Sequence, residues 1–204
     1  MSARGAAQSR RAVRARLSAR CAWLLALAVV GNSSAADTRS VVQPEKSIRL
    51  VNADFEATPG AAGIDGWDWS VHSTPTAYTL DLDTNHPHGG KASARIRRSG
   101  NEPWGMLHQT LPRLEGGGGV LEFSAWLRTD KANGTGAILV LRTLANGSVD
   151  RYIFMDPTVT GTQDWKRYAV RLAVPAGSHV VDAGAMLQGD GTLWIDDAEI
   201  ALLP

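Results

Sequence analysis

Polar and apolar residues take turns along most of this chain. Leu121, Phe123, Ala125 and Leu127 fall on one side of an extended backbone, and Glu122, Ser124, Trp126 and Arg128 on the other. Tyr168, Val170, Leu172 and Val174 likewise oppose Ala169, Arg171 and Ala173. A period of two over seven or eight residues marks a half-buried strand. The same reading predicts strands over 49–56, 67–72, 77–83, 91–99, 106–111, 120–130, 137–144, 151–156, 165–174, 180–188 and 192–203. Turn signals separate many of them: Asp65-Gly66, Gly89-Gly90, Gly116 to Gly119, Asn133-Gly134, Asn146-Gly147 and Gly189-Asp190-Gly191. Such pairs supply the positive φ of tight hairpins. Many short strands at regular spacing predict an all-β fold, a two-sheet antiparallel β-sandwich. After residue 37 nothing shows a long helical period, and the length suits one domain.

The first 36 residues follow a different rule. Six arginines and no acid precede or flank an apolar run, Cys21 to Val30, and small residues follow from Gly31 to Ala36. Ten apolar residues are half of what a membrane span needs, roughly 20. Basic, apolar, then small is the order of a secretory signal peptide, with cleavage expected after Ala35 or Ala36. Residues 37–48 are polar, include Pro44 and read as a linker, leaving 49–204 as the folded domain. The expected location is secreted or periplasmic, with no membrane attachment after cleavage.

This division changes the charge balance. The whole chain has 21 basic and 20 acidic residues; without the six arginines, 15 basic face 20 acidic, a net of −5. A nucleic-acid binder normally presents a basic face, so nucleic acid is not an expected partner. The 44% hydrophobic content is enough for a core. A single cysteine, Cys21, excludes a disulfide framework and a Cys-rich zinc site.

Several segments occur in a telling order: Leu50-Val51-Asn52-Ala53-Asp54-Phe55-Glu56; Gly66-Trp67; Tyr78; His88-Gly89-Gly90-Lys91-Ala92-Ser93; Gln109; Phe123 to Thr129; Trp165-Lys166-Arg167-Tyr168; and Leu193 to Ile200. In this arrangement the sequence resembles the galactose-binding-like jelly rolls, particularly carbohydrate-binding modules of the family 4, 9 and 22 type, over about residues 49–203. The resemblance implies two antiparallel sheets, a face or loop rim for ligand, and often a structural calcium. Many such domains bind something other than sugar.

Calcium takes several oxygen ligands. In related modules the first and last strands are neighbours, here carrying Asp54, Glu56, Asp196 and Asp197. Alternation sends Asp196 and Asp197 to opposite faces, so only one serves a shared site. Glu56 and Asp196, with carbonyls near Gly90 and Lys91, are the expected calcium ligands. The alternative is that these acids solvate a sheet edge.

For a polysaccharide or oligosaccharide partner, flat aromatic rings would cover the C–H face of a pyranose and polar groups its hydroxyls. The candidates are Trp69, Trp104 and Trp126 for stacking, and Gln109, Arg128, Arg142 and Gln188 for hydrogen bonds. Trp67, Trp165 and Trp194 are expected to pack in the core. Catalytic constellations are weak. His86 and His88 lack a third zinc ligand nearby in sequence. Gly116 to Gly119 precedes no Lys-Ser/Thr and no helix. Asp196 and Asp197 project apart, and no Gly-x-Ser-x-Gly elbow exists. The sequons at Asn133 and Asn146 fall at predicted hairpin tips and read as chance. Two readings stand: a non-catalytic sugar-binding domain, or a structural or protein-interaction sandwich without a sugar ligand. Open rings beside Arg and Gln favour the first; rings capped by loops favour the second.

Overall fold

A computed structural model describes residues 46–59, 63–111, 113–114, 118–145, 148–177 and 179–203. The expected signal peptide and most of the expected linker lie outside these residues. Among the described residues ten strands form: β1 (Lys46–Ile48), β2 (Asp68–Val71), β3 (Tyr78–Asp83), β4 (Ser93–Arg98), β5 (Gly105–Thr110), β6 (Gly119–Ala145), β7 (Ser148–Phe154), β8 (Val159–Val174), β9 (Val180–Gln188) and β10 (Thr192–Leu203). A single 3-10 turn, Pro75–Ala77, is the only helical element among the described residues.

All pairings are antiparallel, and β6 joins two layers. Its first half pairs with β10 and β8; with β4, β3 and β1 these make sheet II. Its second half pairs with β9 and β7; with β5 and β2 these make sheet I. Period-two burial explains how the layers close. Leu121, Phe123, Ala125 and Leu127 from sheet II meet Leu107, Leu139, Leu141, Ala183, Ala185 and Leu187 from sheet I in one buried cluster. The protein is an all-β jelly-roll sandwich.

Three expectations change. The predicted hairpin at Asn133-Gly134 is a bend inside one continuous strand. Lys131, Gly134 and Gly136 take positive φ there, and the β6–β8 register shifts at residues 129, 132 and 137. This bend carries β6 from one layer to the other. The predicted strand over 49–56 is a turn instead: Asn52 and Phe55 both have positive φ, and Phe55 donates its N–H to Asn52. That turn drops the Phe55 ring into the core against Trp67, 5.0 Å between centroids. Lys46–Ile48, at the end of the supposed linker, pairs with residues 200–202 of β10.

Candidate functional site

The outward face of sheet I brings together side chains from four strands. Residues directly opposite in antiparallel strands point the same way. Tyr152 on β7 therefore lines up with Arg142, Asp182 and Thr110. The next row holds Phe154, Val140, Gly184 and His108, and β2 adds Asp68. Beyond it lie Ile138, Met186, Met106 and Ser70. Gln188 stands opposite Gly136, and extending the β5 register by one residue sets Trp104 across from it. Val140, Ile138, Met186 and Met106 are buried and form an apolar floor. Tyr152 is 61% exposed and Phe154 44%, with ring centroids 5.2 Å apart. Gly184 is required in the centre. A Cβ there would lie 2.1 Å from the Leu107 carbonyl oxygen.

Asp182 organises the polar row. One carboxylate oxygen accepts from His108 Nδ1 at 2.8 Å and weakly from Thr110; the other accepts from Arg142 Nε at 2.5 Å. Burial alone would raise this carboxyl. The His108 hydrogen bond and the charge of Arg142 outweigh it and hold Asp182 below the usual range, so it is ionised at neutral pH.

The far corner is braced from below. His72 meets the Trp104 ring edge-to-face, and its backbone N–H donates to the Trp104 carbonyl. Glu102, whose side chain is only 5% exposed, accepts from the Ser73 hydroxyl at 2.5 Å, from Thr74 N–H at 2.9 Å and from His72 Nδ1 at 3.1 Å. The Ser73 and Thr74 hydrogen bonds lower its pKa to about 2.

Of the seven predicted contacts, the fold gathers Trp104, Arg142 and Gln188 on this face. The other four lie elsewhere. Trp69 points between the sheets, against Tyr78 and the core. Gln109 is buried and spends its amide on Val51: the side-chain oxygen accepts from Val51 N–H at 2.8 Å, and Nε2 donates to Val51 O at 2.9 Å. Paired with the core residue Ala183, it lies on the inner side of sheet I, away from this face. Trp126 and Arg128 face outward from sheet II. His88 stacks on Trp126 at 3.9 Å, with planes 18° apart, and meets Trp165 on edge; Arg128 lies over the Trp194 ring. A loop thus caps Trp126. Trp194 is buried, but on the outer side of sheet II against Arg128 and His86 rather than in the core, donating to Asp83, and Trp165 is only half-buried. Sequence reasoning missed Tyr152, Phe154, His108 and Asp182. Alternation within the predicted strand over 151–156 already set Tyr152 and Phe154 on one side; nothing local said that this side faces solvent.

The acids assigned to calcium meet the loop over 88–92. Glu56 accepts from Lys91 and Ala92 N–H at 2.6 and 3.1 Å, which lowers its pKa. Asp196, fully buried, accepts from the N–H groups of His88, Gly89 and Asp197. Burial nevertheless raises its pKa to about 6. The expectation that Asp196 and Asp197 part company fails, because a bulge between Asp196 and Glu199 breaks the alternation. Asp197 takes positive φ, and its carboxylate reaches His88 Nδ1 at 2.6 Å. Among the described residues no group of three or more His, Cys, Asp or Glu is arranged to hold a metal ion. Glu56 and Asp196 supply two carboxylates at the same loop, already accepting backbone N–H groups, and a hard cation there would also need carbonyl ligands.

No protein-family model matches the chain. One curated relative, the uncharacterized HTH-type transcriptional regulator YbfP of Bacillus subtilis, is 27% identical over 137 residues, 65% of this chain and 46% of that protein. The chain thus spans less than half the length of this relative. Among solved structures, the enzymatically active domain of bacteriophage CBA120 tailspike protein 4 superposes with a TM-score of 0.58 at 16% identity, over 75% of this chain and 21% of that one. The CBM22-1 xylan-binding domain of Paenibacillus barcinonensis Xyn10C gives 0.54 at 15% identity, over 74% and 92%. A further xylan-binding domain from CBM 22 gives 0.52 at 15% identity, over 78% and 94%. At these identities the likeness is one of fold: the chain has the jelly-roll fold of carbohydrate-binding modules.

Proposed function

We propose that this chain is a secreted or periplasmic, non-catalytic domain that binds polysaccharide or oligosaccharide on the outward face of sheet I. The observation that carries the reading is the pair of open rings, Tyr152 and Phe154, on the same face as Arg142, Asp182, His108, Gln188 and Trp104. Exposed aromatic surface beside polar groups is suited to a pyranose, whose C–H face needs a flat apolar partner while its hydroxyls need donors and acceptors. A fold shared with xylan-binding domains supports it.

Calcium is part of the proposal as a structural ion. Glu56 and Asp196, with carbonyls of the loop over 88–92, would hold it, and its charge would offset the buried Asp196 carboxylate. Calorimetric titration of chelator-treated protein with calcium should release heat and raise Tm; neither response would remove the ion from the proposal.

The test of function is affinity electrophoresis of the full chain in gels containing xylan, galactan, mannan or glucan. Retardation by one of them, abolished in the Tyr152→Ala/Phe154→Ala variant, is the expected result. Free migration in every gel would leave a structural or protein-interaction sandwich, a reading that the capped ring of Trp126 favours for sheet II.

A further inference from the structure

The centre of the proposed sugar face holds a donor and an acceptor fixed by one carboxylate. Ionised Asp182 can only accept, so His108 Nδ1 carries the proton in their 2.8 Å hydrogen bond. In the neutral imidazole with the proton on Nδ1, Nε2 carries a lone pair. Among the described residues that nitrogen makes no hydrogen bond and is not a buried unsatisfied atom, on a side chain 13% exposed. Arg142 gives Nε and one terminal nitrogen to Asp182, and among the described residues Nη1 makes no hydrogen bond, on a side chain 28% exposed. Gly184 stands in the row of His108 and next to that of Arg142, with no side chain above the sheet. Gly184 is itself buried, and the patch is flanked by His108 and Arg142, with Phe154 and Met186 as apolar neighbours.

We infer that this patch is a subsite for one sugar ring presenting two adjacent hydroxyls, one donating to His108 Nε2 and the other accepting from Arg142 Nη1. Asp182 is the positioning residue, since it reaches the ligand only through these two. The inference rests on the glycan-binding reading and specifies its polar recognition. A diol suits the pair because each hydroxyl can give and take a hydrogen bond. The charged groups facing His108 are Asp182 from β9, Arg142 from β6 and Asp68 from β2; its own strand adds only the hydroxyl of Thr110.

The test is an NMR titration of the full chain with xylohexaose, cellohexaose, mannohexaose and β-1,4-galactotriose, following the side chains of His108, Arg142, Tyr152 and Phe154. The expected result is a glycan that shifts His108 Nε2 and Arg142 Nη1 together with the rings. Its affinity should fall about tenfold in His108→Phe, the worth of one hydrogen bond. Asp182→Asn should keep the fold and lose affinity, which covers the case of a misfolded His108→Phe. Shifts at Tyr152 and Phe154 without shifts at His108 and Arg142 would overturn this subsite alone. Silence at all four with every glycan would overturn the sugar reading with it.

Discussion

Replacing Gln109 with leucine separates a structural role from a binding one. Gln109 is 5% exposed and makes two hydrogen bonds, at 2.8 and 2.9 Å, to the backbone of Val51. Leucine nearly keeps the volume, so no large cavity forms. Each lost bond costs about 1 kcal/mol net. Val51 is half-exposed, and water can reach part of its backbone, so the total should stay near 2 kcal/mol rather than climb toward the full penalty of two orphaned groups. For a domain of this size that is a fall in Tm of about 4–8 °C. The turn over 51–55 hangs on this contact, and it carries Phe55 into the core, so the loss should appear in global unfolding. Thermal and urea unfolding measure the stability change, and affinity electrophoresis on the retarding glycan measures binding. The reasoning predicts lower stability with unchanged retardation at a temperature where the protein is folded. Unchanged stability with lost retardation would refute it and return Gln109 to the ligand.

Other outcomes follow from the same geometry. Tyr152→Ala should leave stability within about 0.5 kcal/mol, because that side chain is 61% exposed, and Phe154→Ala, 44% exposed, should cost about 1 kcal/mol, while binding weakens in both; urea midpoints check the first half. Gly184→Ala should cost about 3 kcal/mol or more and distort β5, since its Cβ would sit 2.1 Å from the Leu107 oxygen; the pattern of protected amides on β5 reads this out. The folded pKa of Glu102, about 2, lies below its ordinary value of 4.5, so its contribution is complete above about pH 4.5 and disappears as pH falls through about 2. Unfolding as a function of pH should show that acid-side loss, and Glu102→Gln should flatten it. Asp83→Ala should be strongly destabilising, by about 4 kcal/mol, because it orphans Trp194 Nε1, Asn85 N–H, His86 Nδ1 and one nitrogen of Arg95 at a buried position; denaturant unfolding tests this.

Strand periodicity was readable without any coordinates, because a strand advertises its buried side every second residue. Strands β9 and β10 match their sequence-derived limits, and the core stripe of Leu121 to Leu127 is the one alternation predicts. Where chain geometry departed from period two, sequence reasoning went astray. The turn over 51–55 and the bulge after Asp196 depend on positive φ at Asn52, Phe55 and Asp197, residues that carry no glycine to announce it. The bend in β6 did carry glycines, but glycine marks a change of direction and not whether the next segment returns to its neighbour or crosses to another layer.

Residue chemistry nominated tryptophans, arginines and glutamines; pairing decided which of them share a surface. Trp126 and Arg142 lie on the same strand, yet one faces out from sheet II beneath His88 and the other from sheet I beside Asp182, because β6 changes sheets between them. His108, Asp182 and Tyr152 are far apart in sequence and sit on three different strands. Only long-range register brings such groups together, and register is set by the packing of the whole sandwich rather than by any local run of residues.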